Sequence, residues 1–204
     1  MSISRFQLKV IVLGDSSVGK TSILNRFVKQ EFSQSYRATV GADFLFKEMV
    51  VDGKPVSLQI WDTAGQEKFQ SLGNAFYRGT DCCMLVYDIT NLETFENIPS
   101  WKKEFLERSG NENVNFPIIL LGNKLDIAPD RKVSKSNAKE YAEQENIVFD
   151  EISAKDDIRV EEAFFEIVRK CINREEIIRP TLPVKPIVLK TPSADAKKKK
   201  KCCN

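Results

Sequence analysis

Residues 14–21 read Gly14-Asp15-Ser16-Ser17-Val18-Gly19-Lys20-Thr21, which matches the pattern G-x-x-x-x-G-K-[ST]. This pattern is typical of a phosphate-binding loop between a strand and a helix. The preceding run Leu8–Leu13 is almost entirely apolar and predicts one buried strand. In the following segment, Ser22–Gln30, apolar residues recur at helical spacing. The alternative is a chance match in an ordinary loop, and the strand and helix on either side argue against it.

The chemistry of this loop follows from its residue types. Its glycines let consecutive backbone N–H groups point at phosphate oxygens, and the helix behind it adds the positive end of its dipole. Lys20 is expected to place its charge on the terminal phosphates, and the Thr21 hydroxyl is expected to ligate Mg²⁺. The candidate nucleotide-binding residues here are consecutive: Ser16, Ser17, Val18, Gly19, Lys20, Thr21 and Ser22.

Composition excludes several kinds of chemistry. The chain of 204 residues suits one domain plus a tail, and it has no apolar run of membrane-spanning length. It contains no histidine, which excludes Ser-His-Asp triads, Cys-His dyads and His-ligated zinc. The five cysteines form two adjacent pairs and one single residue, which is a poor disulfide framework.

Charge is unevenly placed along the chain. Eight of the 31 Lys and Arg residues, but only one of the 29 acids, fall after residue 176. The segment 177–204 therefore carries +7 and residues 1–176 carry −5, although the net charge is only +2. A mildly acidic domain does not suggest a nucleic-acid binder, whose folded surface should be basic. We expect a folded domain over 1–176 and a flexible basic tail over 177–204 that meets an acidic surface.

The rest of the chain predicts an α/β fold. Phe44–Val51 and Val56–Trp61 flank Asp52-Gly53, a strong hairpin signal, so this pair should be antiparallel. Near-continuous apolar runs further on are typical of strands buried on both faces. We expect a six-stranded, mostly parallel sheet with one antiparallel edge strand, about five helices, and binding groups at the carboxyl ends of the strands. The remaining strands are predicted at Cys82–Tyr87, Phe116–Leu121 and Ile147–Ile152, and the remaining helices at Glu93–Glu107, Ser134–Glu145 and Val160–Glu175.

The segment Asp62-Thr63-Ala64-Gly65-Gln66-Glu67 follows the second hairpin strand. Asp62 is a candidate to hold Mg²⁺ through water. Gly65 can bring a backbone N–H up to a γ-phosphate, and Gln66 offers the donor and acceptor needed to orient an attacking water. The alternative is a surface turn with an exposed acid. We predict Gln66, Lys20 and Gly65 as the catalytic residues.

Two later segments predict a guanine site. In Asn123-Lys124-Leu125-Asp126, the Asp126 carboxylate can accept both the N1–H and the exocyclic amine of guanine, a pair that adenine lacks. The Lys124 stem can lie over the base, and Asn123 can tie this segment to the phosphate loop. Ser153-Ala154-Lys155 follows the last predicted strand, where a backbone N–H could meet the guanine oxygen. These three residues alone are a weak signal.

A further metal ligand is possible in the polar segment before Phe44. Thr39 lies in a loop that could fold over the nucleotide and add a second hydroxyl to Mg²⁺. Such a loop would be ordered by a γ-phosphate and would relax on hydrolysis. The alternative is a plain loop threonine, and the residues themselves leave both interpretations open.

These motifs, in this order and spacing, resemble those of the Ras-like small GTPases. The finer pattern resembles the Rab family, and within it the branch that acts at late endosomes and lysosomes. The resemblance covers roughly residues 6–176. It is carried by Val40-Gly41-Ala42-Asp43-Phe44, Leu58-Gln59-Ile60-Trp61, Lys68-Phe69-Gln70-Ser71-Leu72-Gly73, Ala75-Phe76-Tyr77-Arg78-Gly79, Asp81-Cys82-Cys83, Leu85-Val86-Tyr87-Asp88-Ile89-Thr90 and Ser100-Trp101 with Glu104-Phe105-Leu106.

The resemblance implies a GTP hydrolase, slow unless activated, that cycles between GTP and GDP with Mg²⁺ and regulates vesicle trafficking. Its expected place is the cytoplasmic face of late endosome, lysosome or vacuole membranes, with a cytosolic inhibitor-bound pool. The implied partners are an exchange factor, a GTPase-activating protein, an escort protein, a dissociation inhibitor and effectors, acting on a monomeric domain. The implied further site residues are Phe32 and Tyr36 at the nucleotide and Phe44, Trp61 and Phe76 facing effectors.

Two departures and three alternatives qualify this interpretation. Ser17 stands where many relatives have glycine, which bears on the hydrolysis rate. The ending Cys202-Cys203-Asn204 differs from the Cys-x-Cys end of the most similar branch. Activating proteins of this family often supply their own glutamine, so Gln66 can matter less in the activated reaction. The alternatives are a Rab at another endomembrane step, a nucleotide-bound module that does not hydrolyse, and a small-molecule kinase with the same loop.

The tail predicts membrane attachment. It holds several prolines and the run Lys197–Lys201, so it should be extended and solvated. The segment Lys185–Leu189 resembles one that Rabs dock on their escort and inhibitor proteins. Cys202 and Cys203 suggest double prenylation, and the last four residues do not fit C-a-a-X. The alternative is a disordered tail with free thiols.

Overall fold

The computed structural model describes residues 6–34, 42–63, 76–110 and 115–178, in which strands and helices alternate. The strands are β1 (Phe6–Leu13), β2 (Ala42–Val51), β3 (Lys54–Thr63), β4 (Cys82–Asp88), β5 (Ile118–Asn123) and β6 (Val148–Glu151). The helices are α1 (Lys20–Lys29), α2 (Leu92–Glu96), α3 (Ile98–Ser109), α4 (Lys135–Gln144) and α5 (Val160–Ile178), with a 3₁₀ turn over Leu125–Asp130.

Within the residues that the structure describes, the sheet has six strands in the order β2-β3-β1-β4-β5-β6. The pairs β1–β3, β1–β4, β4–β5 and β5–β6 are parallel, and only β2 runs antiparallel, against β3. The predicted mostly parallel sheet with an antiparallel edge strand is confirmed, as are five α-helices among the described residues. In this order the carboxyl ends of β1, β3, β4, β5 and β6 lie along one edge of the sheet.

Burial explains the order of the strands. Every residue of β4 and β5 is buried, as the apolar runs predict for central strands covered on both faces. In β3 buried and half-buried residues alternate, which is typical of a strand with one partly solvated face. Two apolar clusters, one on each face, hold the sheet between its helices: α1 and α5 pack on one, and α3 and α4 on the other.

The predicted single helix over Glu93–Glu107 is wrong, because the structure has two helices there. Asn97 ends α2 and begins α3, and its own backbone is helical with φ −81° and ψ −12°. Pro99 occupies the second position of α3. Proline has no N–H to continue an earlier helix but is well tolerated in a first turn, so the break falls at Asn97, two residues before it.

Other boundaries differ by a few residues. β5 begins at Ile118 rather than at Phe116, because Pro117 cannot donate to a central ladder. α5 continues to Ile178, past the predicted end at residue 175, and everything beyond it lies outside the described residues. None of the helices that the structure describes is long and apolar enough to cross a membrane.

Candidate nucleotide-binding site

The phosphate-binding loop leaves the end of β1 and turns under β4. Gly14 has φ +143°, and a Cβ there would lie 2.1 Å from the backbone carbonyl oxygen of Val86. At Gly19, φ is +97° and a Cβ would lie 2.3 Å from Nδ2 of Asn123. Both positions therefore need glycine for space as well as for conformation. The result is a loop whose backbone closely approaches two neighbouring strands.

Lys20, the first residue of α1, is buried beneath this loop with 5% of its surface exposed. Its ammonium donates hydrogen bonds to the carbonyl oxygens of Gly14 and Asp15, both at 2.8 Å. Burial lowers the pKa of Lys20 to about 8, and the nearby Asp62 and Asp15 oppose this shift. A buried ammonium held by the loop itself is suited to meet a dianionic phosphate, whose negative charge would raise the pKa of Lys20 again.

Thr21 and Asp62 meet at the end of β3. The Thr21 hydroxyl donates to Oδ2 of Asp62 at 2.6 Å, and the carboxylate is only 3% exposed. Burial raises the pKa of Asp62, and the Thr21 hydrogen bond and the Lys20 charge oppose this rise. The other oxygen, Oδ1, is buried, and within the described part of the chain no hydrogen-bond partner is found for it. A buried carboxylate with one unused oxygen beside a hydroxyl is a suitable place for a cation.

The donor set fits Mg²⁺ better than a transition metal. Among residues 6–34, 42–63, 76–110 and 115–178 there is no group of three or more His, Cys, Asp or Glu side chains that could hold a metal. Mg²⁺ does not require such a cage, since it is usually held by one or two protein oxygens together with water and substrate phosphates. Thr21 and Asp62 supply oxygens of that kind.

Asn123, the last residue of β5, joins three segments of the site. Its Nδ2 donates to the carbonyl oxygen of Val18 at 2.8 Å, and its Oδ1 accepts from the backbone N–H of Ala154 at 3.2 Å. The side chain is 2% exposed, so both hydrogen bonds are shielded from water. The predicted tie between Asn123 and the phosphate loop is confirmed. The segments 14–21, 123–126 and 153–155 thus form one continuous edge.

Asp126 lies in the 3₁₀ turn that follows β5. Its Oδ1 accepts from the Ser153 hydroxyl at 2.7 Å, and its Oδ2 lies 3.5 Å from Nζ of Lys155. The carboxylate side chain is 9% exposed. The structure therefore brings Asp126 and Ser153-Ala154-Lys155 together, although 27 residues separate Asp126 from Ser153.

Two contacts at this edge were not predicted. Lys124 has a left-handed backbone, with φ +73°, and its ammonium donates to Oδ2 of Asp88 at 2.6 Å. Arg26, on α1, donates from Nε to the carbonyl oxygen of Ala154 and from Nη2 to that of Lys155, both at 2.9 Å. These partners are far apart in the chain, and no local signal in the sequence indicates them.

Several predicted site residues lie outside the described residues: Tyr36, Thr39, Gly65 and Gln66. Phe32 is described, and it packs, half-buried, against the core cluster on the α1 face of the sheet. Ser16 and Ser22 are half-buried, whereas Ser17 is exposed and adopts a left-handed backbone with φ +64°. Residues Cys202 and Cys203 also fall outside the described part.

The three predicted effector-facing aromatics form a contiguous group. The ring centroids of Phe44 and Trp61 are 5.6 Å apart, and those of Trp61 and Phe76 are 4.8 Å apart. Phe44 is 49% exposed, while Phe76 is nearly buried at 9%. The apolar surface extends along β2 through Phe46, which is 61% exposed. The alternation of residues in β2 could have indicated this extension, since positions 44 and 46 share one face.

Lys9 lies beneath these aromatics and was also not predicted. Its ammonium is 4.8 Å from the ring centroid of Trp61, and it donates to the carbonyl oxygens of Phe76 (2.7 Å) and Arg78 (3.0 Å). Burial lowers the pKa of Lys9, and Asp81 opposes the shift. The lysine thus links β1 to the segment that carries Phe76.

Comparison with known proteins is consistent with this geometry. The Ras family model matches residues 9–173. Ras-related protein Rab-7a of Paramecium octaurelia is 53% identical over 178 residues, covering 85% of this chain and 86% of the relative. Ras-related protein Rab-7a of Dictyostelium discoideum is 50% identical over 198 residues, covering 96% of each. Ras-related protein RABG3b of Arabidopsis thaliana is 54% identical over 175 residues, covering 84% and 86%.

The family model matches most of the chain, and one relative is about 50% identical over nearly its whole length. Both findings agree with the observed phosphate-binding loop on a mostly parallel sheet. The chain therefore belongs to the Ras family, and within it to the Rab GTPases of vesicle trafficking, as a GTP hydrolase of the Rab7 type.

Proposed function

We propose that the edge built around Asn123 is the guanine nucleotide site, with a defined role for each segment. The observation that supports this most directly is that Asn123 donates a hydrogen bond to Val18 and accepts one from the N–H of Ala154, so the phosphate loop lies beside two candidate base-binding segments. The loop 14–21 holds the phosphates through its N–H groups and Lys20. Asp126 reads the guanine edge, and a backbone N–H of the segment 153–155 meets the guanine oxygen.

Thr21 and Asp62 are the proposed protein groups that would hold Mg²⁺, Asp62 through water, and Thr39 would add a second hydroxyl. The support is the buried Oδ1 of Asp62, to which no residue that the structure describes donates a hydrogen bond, and the hydroxyl that lies 2.6 Å from the other oxygen. When bound, Mg²⁺ neutralises charge on the β- and γ-phosphates. The chain's own contribution is to hold the two oxygens in a buried position next to Lys20.

The proposed reaction is attack of water on the γ-phosphorus of GTP. The bond from that phosphorus to the oxygen bridging it to the β-phosphate breaks, and the water proton leaves with inorganic phosphate, so the products are GDP and phosphate. Lys20 stabilises charge that develops on the phosphate oxygens. Gln66 orients the water and Gly65 donates its N–H. Unaided turnover is slow because the residues proposed here include no arginine finger.

A single-turnover assay tests this proposal. Full-length protein loaded with GTP should release one phosphate per protein when Mg²⁺ is added, and a tenfold excess of ATP should not compete for the site. Lys20→Met should abolish nucleotide binding, and Gln66→Leu should bind GTP but release phosphate more slowly. Retention of GTP by Lys20→Met, or displacement of GTP by ATP, would show that the site is assigned wrongly.

We further propose that the protein acts at late endosome, lysosome or vacuole membranes. Support comes from the Rab7 names of the relatives. The exposed Phe44 and Phe46, beside the half-buried Trp61, offer effectors an apolar surface. Exchange factors, activating proteins, an escort protein and a dissociation inhibitor are the proposed regulators. Imaging the tagged chain against compartment markers tests the location, and a Golgi or plasma-membrane pattern would contradict it.

Membrane attachment is proposed to come from prenyl groups on Cys202 and Cys203. Two lipid chains give stable anchoring where one is marginal, and the lysines of 197–201 add attraction to an anionic leaflet. The variant with both cysteines replaced by serine should become soluble on cell fractionation and should keep its GTP hydrolysis rate. The single variant Cys203→Ser should bind more weakly and reversibly. Persistent membrane association of the double variant would refute the lipid anchor.

A further inference from the structure

The side chain of Asp15, inside the phosphate loop, is bound by two donors from the start of α3. Its Oδ2 accepts from Nδ2 of Asn97 at 2.8 Å, and its Oδ1 accepts from Nε1 of Trp101 at 2.7 Å. All three side chains are half-buried. More than 80 residues separate Asp15 from either donor, so the contact joins two parts of the fold.

The donors are held rigidly by the helix. Asn97 and Trp101 are one helical turn apart, and the backbone N–H of Trp101 donates to the carbonyl oxygen of Asn97 at 3.1 Å. Asn97 occupies the N-cap of α3, where an asparagine side chain usually accepts from the first helical N–H groups. Here it makes no such capping bond. Its amide is directed instead to Asp15.

The contact matters for charge. A carboxylate in a phosphate-binding loop repels a bound di- or triphosphate, and this repulsion is strong where water is partly excluded. Asn97 and Trp101 direct the Asp15 carboxylate toward α3. At the same time the backbone carbonyl of Asp15 accepts from Nζ of Lys20 at 2.8 Å. One residue thus joins α3 to the lysine that faces the phosphates.

We propose that Asp15, Asn97 and Trp101 form a clamp that positions the phosphate loop, with Asn97 and Trp101 as positioning residues for nucleotide retention. The clamp keeps a negative side chain away from the phosphates and fixes the carbonyl that holds Lys20. When it is lost, the bound nucleotide leaves faster, and the identity of the preferred base does not change. This inference rests on the proposed nucleotide site.

The test measures release of a fluorescent GDP analogue from the full-length chain. Trp101→Phe keeps the aromatic packing but removes the N–H, and it should speed release about tenfold, which corresponds to about 1.4 kcal/mol. Asp15→Ala should speed release less than Trp101→Phe does, because it loses the anchor of the loop but also removes the charge that repels the phosphates. The double variant Asp15→Ala with Trp101→Phe should release no faster than Asp15→Ala alone, because the indole N–H then has no carboxylate to hold.

Phe105→Leu is the matched control, since Phe105 is a buried core residue of the same helix. It should lower thermal stability without a comparable change in release rate. A second readout uses the Trp61→Phe background, in which Trp101 is the remaining one of the chain's two tryptophans. There Asp15→Asn should shift the Trp101 emission, because the charge beside the indole N–H is removed.

Three results would overturn the clamp. These are an unchanged release rate in Trp101→Phe, multiplicative effects in the double variant, and acceleration by Phe105→Leu equal to that of Trp101→Phe. An error in the proposed nucleotide site can be told apart from an error in the clamp, because in the first case Lys20→Met would still bind nucleotide. If Lys20→Met loses the nucleotide while Trp101→Phe behaves as wild type, only the clamp is wrong.

Discussion

The side-chain amide of Asn123 donates to the backbone carbonyl of Val18 at 2.8 Å, across 105 residues of chain. The same nitrogen would lie 2.3 Å from a Cβ placed on Gly19. The phosphate loop and the end of β5 therefore fit together with no space for a methyl group. Glycine at position 19 is required by this contact as much as by its φ of +97°.

Gly19→Ala should therefore destabilise the domain by about 2–4 kcal/mol, combining a strained left-handed backbone with an overpacked contact. Urea denaturation of the GDP-loaded protein measures the loss. Gly53→Ala is the control, since Gly53 also has positive φ (+76°) but has no atom of the described residues within 4 Å of its Cβ position. Equal losses in the two variants would show that the Asn123 contact has no effect.

Ser17 has a left-handed backbone, with φ +64°, in the same loop. Ser17→Gly should raise the free energy of unfolding by about 0.5–1 kcal/mol, because glycine removes the strain but gains freedom in the unfolded chain. Ser17→Ala should stay within about 0.5 kcal/mol of the wild type. Thermal unfolding measures the stability of both variants. A glycine variant that is less stable than the alanine variant would contradict the proposed backbone strain at Ser17.

Lys9→Met should lower the free energy of unfolding by about 1–3 kcal/mol, because the carbonyl groups of Phe76 and Arg78 lose a charged hydrogen-bond donor. Folding lowers the pKa of Lys9, so the unfolded chain binds its proton more tightly. The contribution of Lys9 to the free energy of unfolding therefore rises with pH between the pKa of Lys9 in the folded protein and 10.5. The difference in free energy of unfolding between wild type and Lys9→Met should therefore be larger at pH 10 than at pH 7.5.

Denaturation at the two pH values measures this gap. Lys47→Met is the control, because it also removes an ammonium that lies beside an aromatic ring, 5.6 Å from the ring centroid of Phe27. A smaller difference in free energy of unfolding at pH 10 than at pH 7.5 would contradict the lowered pKa of Lys9.

Thr21→Asn should shift preference from GTP toward GDP by about tenfold or more, since a hydroxyl ligand of Mg²⁺ is lost where the γ-phosphate needs it most. Thr21→Ser keeps the hydroxyl and should behave as wild type. Competition between GDP and a non-hydrolysable GTP analogue measures the ratio. Chelation of Mg²⁺ by EDTA should speed GDP release from wild type and add little in Thr21→Asn. An unchanged ratio would remove Thr21 from the metal site.

Asp126→Asn should weaken GTP and GDP and favour xanthine nucleotides. Two hydrogen bonds to a charge give an upper range of roughly 3–6 kcal/mol. The asparagine oxygen can still accept from the Ser153 hydroxyl, so the local fold should survive. Asp130→Asn is the control, because Asp130 is an exposed acid in the same 3₁₀ turn. Equal GTP affinity in Asp126→Asn and wild type would place the base elsewhere.

Local patterns were enough to predict the main elements of this molecule. Hydrophobic period and turn residues act over a few positions, so the six strands, the Asp52-Gly53 hairpin and the loop 14–21 could be predicted from the sequence. The motif spacing also placed Asn123, Asp126 and Ser153 at strand ends. The break before Pro99 was missed although proline carries a local signal, because the apolar spacing on either side continues as if one helix ran through it.

The partners of the polar side chains depend on the folded arrangement. Asp15 turns to Asn97 and Trp101, Lys124 pairs with Asp88, and Arg26 holds the carbonyl groups of Ala154 and Lys155. Each pair is brought together by the order of strands in the sheet and by the way helices pack on it. A hydrogen bond requires atoms within about 3 Å, and no residue pattern specifies that distance between segments 36 to 129 positions apart.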